Sequence, residues 1–348
     1  MSRKLHPIHS SQEHRLNPEY KAYYNEHAIA VPKLHTIPID VIRSIPRRPF
    51  PGCGPDVPVG KTEDIKITPD SGPAKGVTIP TRCYTPPGSA PDGGWPVLVF
   101  YHGGGWTVGG LESETDIITN ICTSAKCVVV SVDYRLAPEH PFPAAVDDAW
   151  AALLWVAAEG KSALNINPDN IGVGGSSAGG NLAAVMAQRA ASSSHGSTPR
   201  VAAQLLNIPV TDNTRTPASC ACWRDLQHSP ALSADMMLWF RAGYLPRAGD
   251  AENPEASPLL WRGDWAALPP AVVVVAGLDV LRDEGEAFGE RLRRAGVRAR
   301  VVTFPDQPHI FPAMSGVLED GRRAITVMCE GLREVFYQGS SVDTRSNI

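Results

Sequence analysis

The chain has 348 residues, is 43% hydrophobic and 20% charged, and carries a formal net charge of −4, the profile of a soluble globular protein with chain enough for a large core. The first fifty residues hold eight Lys/Arg against four acids, but scattered rather than clustered, which excludes a basic stripe for nucleic acid. No purely apolar run, Ala271 to Ala276 among them, is long enough for stable membrane insertion.

In chain order, residues 1 to 60 do not read as the start of a sheet. Asn17 is placed to cap a helix through Pro18 to Tyr24, with Pro at its first position. Ile45 to Val59 is rich in proline and glycine and reads as a connector. The segment is expected to pack over something else; the alternative for its first fifteen residues is a poorly ordered tail. Asp64 to Thr68 alternates polar and apolar, and with Val77 to Tyr84 it predicts a hairpin. Val97 to Tyr101 and Cys127 to Val132 are continuous apolar runs, as strands buried on both faces would be.

From there the pattern alternates. Helices are expected at Ala144 to Ala158, Ala178 to Ala191, Asp283 to Ala295 and Arg322 to Phe336. Strands are expected at Ile171 to Val173, Val201 to Ile208, Ala271 to Ala276 and Ala299 to Phe304. Such alternation implies an α/β fold, a mostly parallel central sheet flanked by helices. About sixty residues separate the strand ending near Ile208 from the next. They include a helix pattern, Ser233 to Tyr244, bearing Met236, Met237, Trp239 and Phe240. That much apolar surface in an insertion points to a lid over a pocket; the alternative is an ordinary crossover helix.

Seven cysteines, and an N-terminus (Met1 to Leu16) without the apolar core of a signal peptide, favour free thiols in a reducing, cytoplasmic setting. Cys122/Cys127 and Cys220/Cys222 lack partners at zinc spacing, so no metal is expected. The tail ending Ser346-Asn347-Ile348 is not a peroxisomal address.

The chemistry centres on Gly175-Ser176-Ser177-Ala178-Gly179, where a short apolar strand runs into a Gly-x-Ser-x-Gly frame and an Ala-rich helix runs out. Only Ser177 has glycine at both −2 and +2, as a sharp strand-to-helix elbow requires. Alone the frame carries little, arising by chance about 0.1 times in a chain of this length. A nucleophilic serine also needs a base, an acid to orient it and donors for the oxyanion, in the chain order Ser, Asp/Glu, His. Three histidines follow Ser177: His195, in a Ser/Gly-rich loop, His228, and His309, in the loop after the last strand. His309 is the candidate base. Asp279 follows the Val272 to Ala276 strand and is the candidate acid; Asp283 is the runner-up, but a helix-capping role explains it. His102-Gly103-Gly104-Gly105-Trp106 follows a buried strand, and its glycines let amides approach a ligand. His102 precedes the serine and is assigned a structural hydrogen bond.

At these residues the chain resembles the hormone-sensitive-lipase-like carboxylesterases of the α/β-hydrolase fold. The likeness runs from about His102 to Phe311 and includes Asp133 to Ala145, Ala256 to Leu260 and Leu281 to Gly285. It implies Ser177, Asp279 and His309 as a triad and Gly103, Gly104 and Ala178 as oxyanion donors. It also implies a helical cap built from residues 1–60 and the insertion 211–264. The core would be residues 61–210 and 265–340, with a tail at 341–348. Trp106, Trp239, Phe240 and Ile310 are candidate pocket residues. Two positions depart from the family: Ser176 stands where Asp is common, and Ile310 where Gly usually follows the histidine. The implied activity is hydrolysis of short or medium acyl esters through an acyl-enzyme, with a small-molecule ester as partner and no cofactor. Alternatives are a deacetylase or lactonase of secondary metabolism, an amidase or arylformamidase, and, from another class, a small-ligand receptor on the same fold. Related enzymes often dimerise, which leaves a homodimer open.

Overall fold

A computed structural model describes residues 4–192 and 198–337; His195 and the tail at 341–348 lie outside them. In chain order the strands are β1 (Lys61–Ile67), β2 (Ile79–Thr85), β3 (Trp95–Tyr101), β4 (Val128–Val132), β5 (Ile166–Ser176), β6 (Val201–Asn207), β7 (Ala271–Leu278) and β8 (Ala299–Pro308). The helices are α1 (Ser10–Glu13), α2 (Pro18–Tyr23), α3 (Ile39–Ser44), α4 (Thr115–Ser124), α5 (Ala144–Leu164), α6 (Ala178–Ser192), α7 (Ala221–Asp225), α8 (Ala234–Tyr244), α9 (Arg282–Arg294) and α10 (Glu319–Phe336). None is long and apolar enough to cross a membrane.

The sheet order among the described residues is β1-β2-β4-β3-β5-β6-β7-β8. The expected hairpin is present, β1 and β2 pairing antiparallel with Ile67 opposite Ile79. β2 also meets β4 antiparallel, and from there across to β8 every pair is parallel. The strand order reverses at β3, whose neighbours are β4 and β5. A crevice opens outside the carboxyl ends of strands at such a reversal, and the glycine loop follows β3 while the serine elbow follows β5.

Every residue of β3, β4 and β7 is buried, which explains their unbroken apolar runs. Gly175 faces α6, and Gly172 meets the Phe336 ring of α10. Three residues apart on one strand, they point to opposite sides, so α6 and α10 cover opposite faces. α10 buries one apolar face that includes Ile325, Met328, Cys329, Leu332 and Phe336. All seven cysteines are free thiols.

The main element not expected from sequence is α4. Threonine and isoleucine are poor helix formers. Burial of Ile117, Ile118, Ile121 and Cys122 holds it, and Thr119 and Thr123 satisfy their hydroxyls on carbonyls one turn back, at 2.8 and 2.9 Å. The N-terminal segment is packed, not a loose tail: Gln12 is buried and donates to the Asp225 carbonyl at 2.8 Å. The helix capped by Asn17 ends its α-helical part at Tyr23 and continues as one π-turn, Tyr24–Ala28.

Leu98 of β3 is fully buried, and its side chain fills the space above Gly172 and Gly174 of β5. Leu98→Ala should lower unfolding free energy by about 2–5 kcal/mol, read from urea denaturation. An unchanged midpoint would contradict this packing.

Candidate active site

β5 passes into α6 through one residue. Ser177 sits in the left-handed region at φ 55°, between a strand ending at Ser176 and a helix starting at Ala178. Such a conformation is strained for a serine, and three hydrogen bonds hold it. Its N–H donates to the Asn207 carbonyl at 2.8 Å, and its carbonyl accepts from Asn181 at 3.0 Å and Val210 at 3.2 Å. The flanking glycines are required by crowding: a Cβ on Gly175 or Gly179 would overlap the Tyr101 carbonyl of β3.

The partners arrive by strand register. Leu278 of β7 pairs with Pro308 of β8, so the residues that follow, Asp279 and His309, leave the sheet side by side. His309 Nδ1 lies 2.5 Å from Asp279 Oδ2 and Nε2 lies 2.8 Å from Ser177 Oγ. With its proton on Nδ1 the imidazole donates to Asp279 and accepts from the serine hydroxyl. Asp279 is 1% exposed, and its other oxygen accepts from the Leu281 amide at 3.0 Å. Asp283 is not part of this line; it sits in the first turn of α9, paired with Arg282 at 2.9 Å. Its neighbour Glu284 is buried and accepts from the Thr211 and Asp212 amides at 2.8 and 3.1 Å, tying the chain after β6 to the Asp279 turn. Burial pushes the Glu284 carboxyl up to about 8. His102 has the expected structural place, buried with Nδ1 2.7 Å from the Gly103 carbonyl and stacked on Tyr134 at 4.3 Å.

The glycine loop departs from expectation by one residue. The Gly103 amide is already taken, donating to Glu114 Oε2 at 2.8 Å. The amides of Gly104 and Gly105 have no acceptor among the described residues, and both glycines border the cavity above Ser177. Their φ angles, 117° and 59°, turn the loop toward it. Ala178 opens α6, where the first N–H groups have no intrahelical partner. The open donors facing the serine are therefore Gly104, Gly105 and Ala178.

Above Ser177 lies a cavity of about 480 Å³. Its wall comes from the N-terminal segment (Tyr20, Tyr23, Tyr24), from α8 (Met236, Met237, Phe240) and from Ile208, Ile310 and Met314. Phe240 and Ile310 are where the sequence reading put them. Trp106 and Trp239 are not on this wall. Trp106 turns away at φ 55° and stacks on Tyr244 at 4.1 Å in the core; Trp239 packs against Phe240, 5.1 Å between centroids. Sequence reasoning missed the tyrosines, because nothing local marks a residue that reaches a site across the fold. The two halves of the roof touch each other: His9 stacks on His228 at 4.2 Å and Arg15 pairs with Asp225 at 2.9 Å.

The α/β-hydrolase-fold family model matches residues 98–313, which hold the end of β3, the elbow, Asp279 and His309. The chain belongs to this family. Within it, the hormone-sensitive-lipase-like carboxylesterases that the sequence resembles are its relatives. It is 43% identical over 320 residues to the AB hydrolase superfamily protein C1039.03 of Schizosaccharomyces pombe, covering 91% of this chain and 93% of that one. It is 40% identical to the carboxylesterase NlhH of Mycobacterium tuberculosis over 66% of this chain and 70% of that one. Among solved structures it is similar to EstE1, a thermophilic carboxylesterase cloned from a metagenomic library, with TM-score 0.72 and 38% identity over 80% of this chain and 90% of that one.

The crowding at the elbow is open to test. Gly179→Ala should push α6 off β3 and cost more than about 10-fold in esterase activity, together with a lower melting temperature. Wild-type activity and stability would show that the approach is looser than described.

Proposed function

We propose that this protein is a serine carboxylic-ester hydrolase acting on short or medium acyl esters through an acyl-enzyme on Ser177. The observation that carries the reading is the unbroken line from Ser177 Oγ through His309 to Asp279 beneath an apolar cavity. His309 Nε2 takes the serine proton as Oγ attacks the ester carbonyl carbon. The oxyanion of the tetrahedral intermediate accepts from the Gly104, Gly105 and Ala178 amides. Asp279 keeps the imidazole in the required tautomer and stabilises the imidazolium, which passes its proton to the departing alcohol. Water, deprotonated by His309, then attacks the acyl carbon and releases the acid.

The cap belongs to the same proposal. Residues 1–60 and 211–264 supply most of the apolar wall and join each other over Ser177, above a core formed by 61–210 and 265–340. A cavity of about 480 Å³ lined by tyrosine, methionine and phenylalanine suits a short or medium acyl chain and a neutral alcohol. The seven free thiols fit a cytoplasmic enzyme.

Ser177→Ala should abolish hydrolysis of p-nitrophenyl butyrate, and near-full activity in that variant would sink the assignment. Asp279→Asn should lower kcat by about 10⁴-fold, as expected when the imidazole loses its orienting carboxylate. Across p-nitrophenyl esters of increasing length, kcat/KM should peak at short to medium chains. A matched anilide should turn over far more slowly; the reverse order would mean an amidase.

A further inference from the structure

One buried carboxylate beside the elbow is not used by the mechanism above. Glu114 is 2% exposed, stands just before α4 and borders the cavity floor. No lysine or arginine pairs with it among the described residues. An ionised carboxylate in that position must be held by donors. The Gly103 amide donates to Oε2 at 2.8 Å, and the neighbouring Ser176 side chain favours the charged form. Ser176 Oγ itself accepts from Asn207 Nδ2 at 2.9 Å, which leaves its hydroxyl hydrogen for Glu114. Asn207 at the end of β6, Ser176 before the nucleophile and Glu114 thus stand in one buried polar row, and Glu114 also grips the glycine loop after β3. The loop is pressed against the elbow there: a Cβ on Gly103 would come within 3.2 Å of the Ser176 carbonyl.

We propose that Glu114 is the positioning residue of the oxyanion loop, its ionised carboxylate fastening the Gly103 amide to the Ser176 hydroxyl and so aiming the Gly104 and Gly105 amides at the carbonyl above Ser177. This rests on the reading of Ser177 as nucleophile. Both partners of Glu114 are donors, and only an ionised carboxylate accepts from two donors without offering a hydrogen of its own. Protonation places a hydrogen on one oxygen and displaces one partner, releasing either the loop or the elbow. The groups facing it set when this happens. Burial pushes its carboxyl up to about 7; Ser176, Gly103 and His309 favour the charged form, and Asp116 in the first turn of α4 opposes it. Tyr134, buried after β4, is held neutral by burial and by the same carboxylate. Activity therefore falls on the acid side as Glu114 takes up a proton.

The test is kcat and KM for p-nitrophenyl butyrate across about pH 5.5–9. Each value is normalised to the fraction of Ser177 labelled by an alkyl fluorophosphonate, so that misfolded protein is not counted. Glu114→Gln should lower kcat by about 10- to 100-fold with KM within about twofold, since a misaimed donor weakens the transition state rather than substrate binding. Its acid limb should flatten as the Glu114 ionisation is lost. Ser176→Asp alone sets two carboxylates against each other and should also lose activity. The double variant Ser176→Asp/Glu114→Gln returns one carboxylate to the same gap from the opposite side and should recover at least about tenfold over Glu114→Gln. Should Glu114→Gln fail to fold, Glu114→Asp, which keeps the charge but withdraws it by one methylene, should lower kcat while keeping the steep acid limb. A Glu114→Gln enzyme with wild-type kcat and acid limb, or no recovery in the double variant, overturns the proposal. Activity surviving in Ser177→Ala would instead overturn the reading on which it rests.

Discussion

Helix α6 leaves β5 without a loop and passes against the Tyr101 carbonyl of β3, and most of the site follows from that contact. The approach admits no Cβ at Gly175 or Gly179, and it forces Ser177 into the left-handed region. The strain of that conformation is of the order of 1–3 kcal/mol. It persists because the end of β6 and the chain after it over-determine it, through the Asn207 carbonyl and the Val210 amide, while α6 adds the Asn181 amide. A flexible serine loop would lose the 2.8 Å contact with His309 Nε2 each time it relaxed.

The second constraint is polar and buried. Glu114, Ser176, Asn207, Glu284, Asn181 and Asp279 are each at most 3% exposed around the carboxyl ends of β3, β5, β6 and β7. Several of them join segments distant in sequence: Glu114 the start of α4 to the β3 loop, Glu284 the β6 exit to α9, Asn181 the elbow helix to the Val210 and Ala256 carbonyls. Such groups are costly to bury and contribute little net stability, but each has a directional partner requirement. Together they hold loops that the apolar core alone would leave loosely placed. The roof is different: N-terminal segment and α8 offer tyrosine, methionine and phenylalanine, which set the shape of the cavity without directing charge.

Much of this was readable beforehand, and the limits have physical causes. The elbow was legible because its glycines are adjacent in sequence to the serine they free. Asp279 and His309 were legible because parallel strands put their following loops at one edge, so chain position stands in for spatial position. The glycine loop was misread by one residue: three glycines look alike in sequence, and only the carboxylate of Glu114, eleven residues on, decides that Gly103 is spent. Helix α4 was missed because its stability comes from burial of isoleucines that intrinsic propensity disfavours. Trp106 and Trp239 read as pocket residues because aromatic side chains serve a cavity wall and a core equally well until their direction is known.

By itself, then, the chain determined the α/β alternation, the buried parallel strands, the elbow at Ser177 and the order serine, aspartate, histidine. These depend on local patterning, on period and on the sequence of strand ends. Tertiary structure decided which amides remain free above the serine, which side chains enclose the cavity and what Glu114 binds. Those are contacts between segments distant in sequence, and a donor's availability depends on whether another part of the fold has already claimed it.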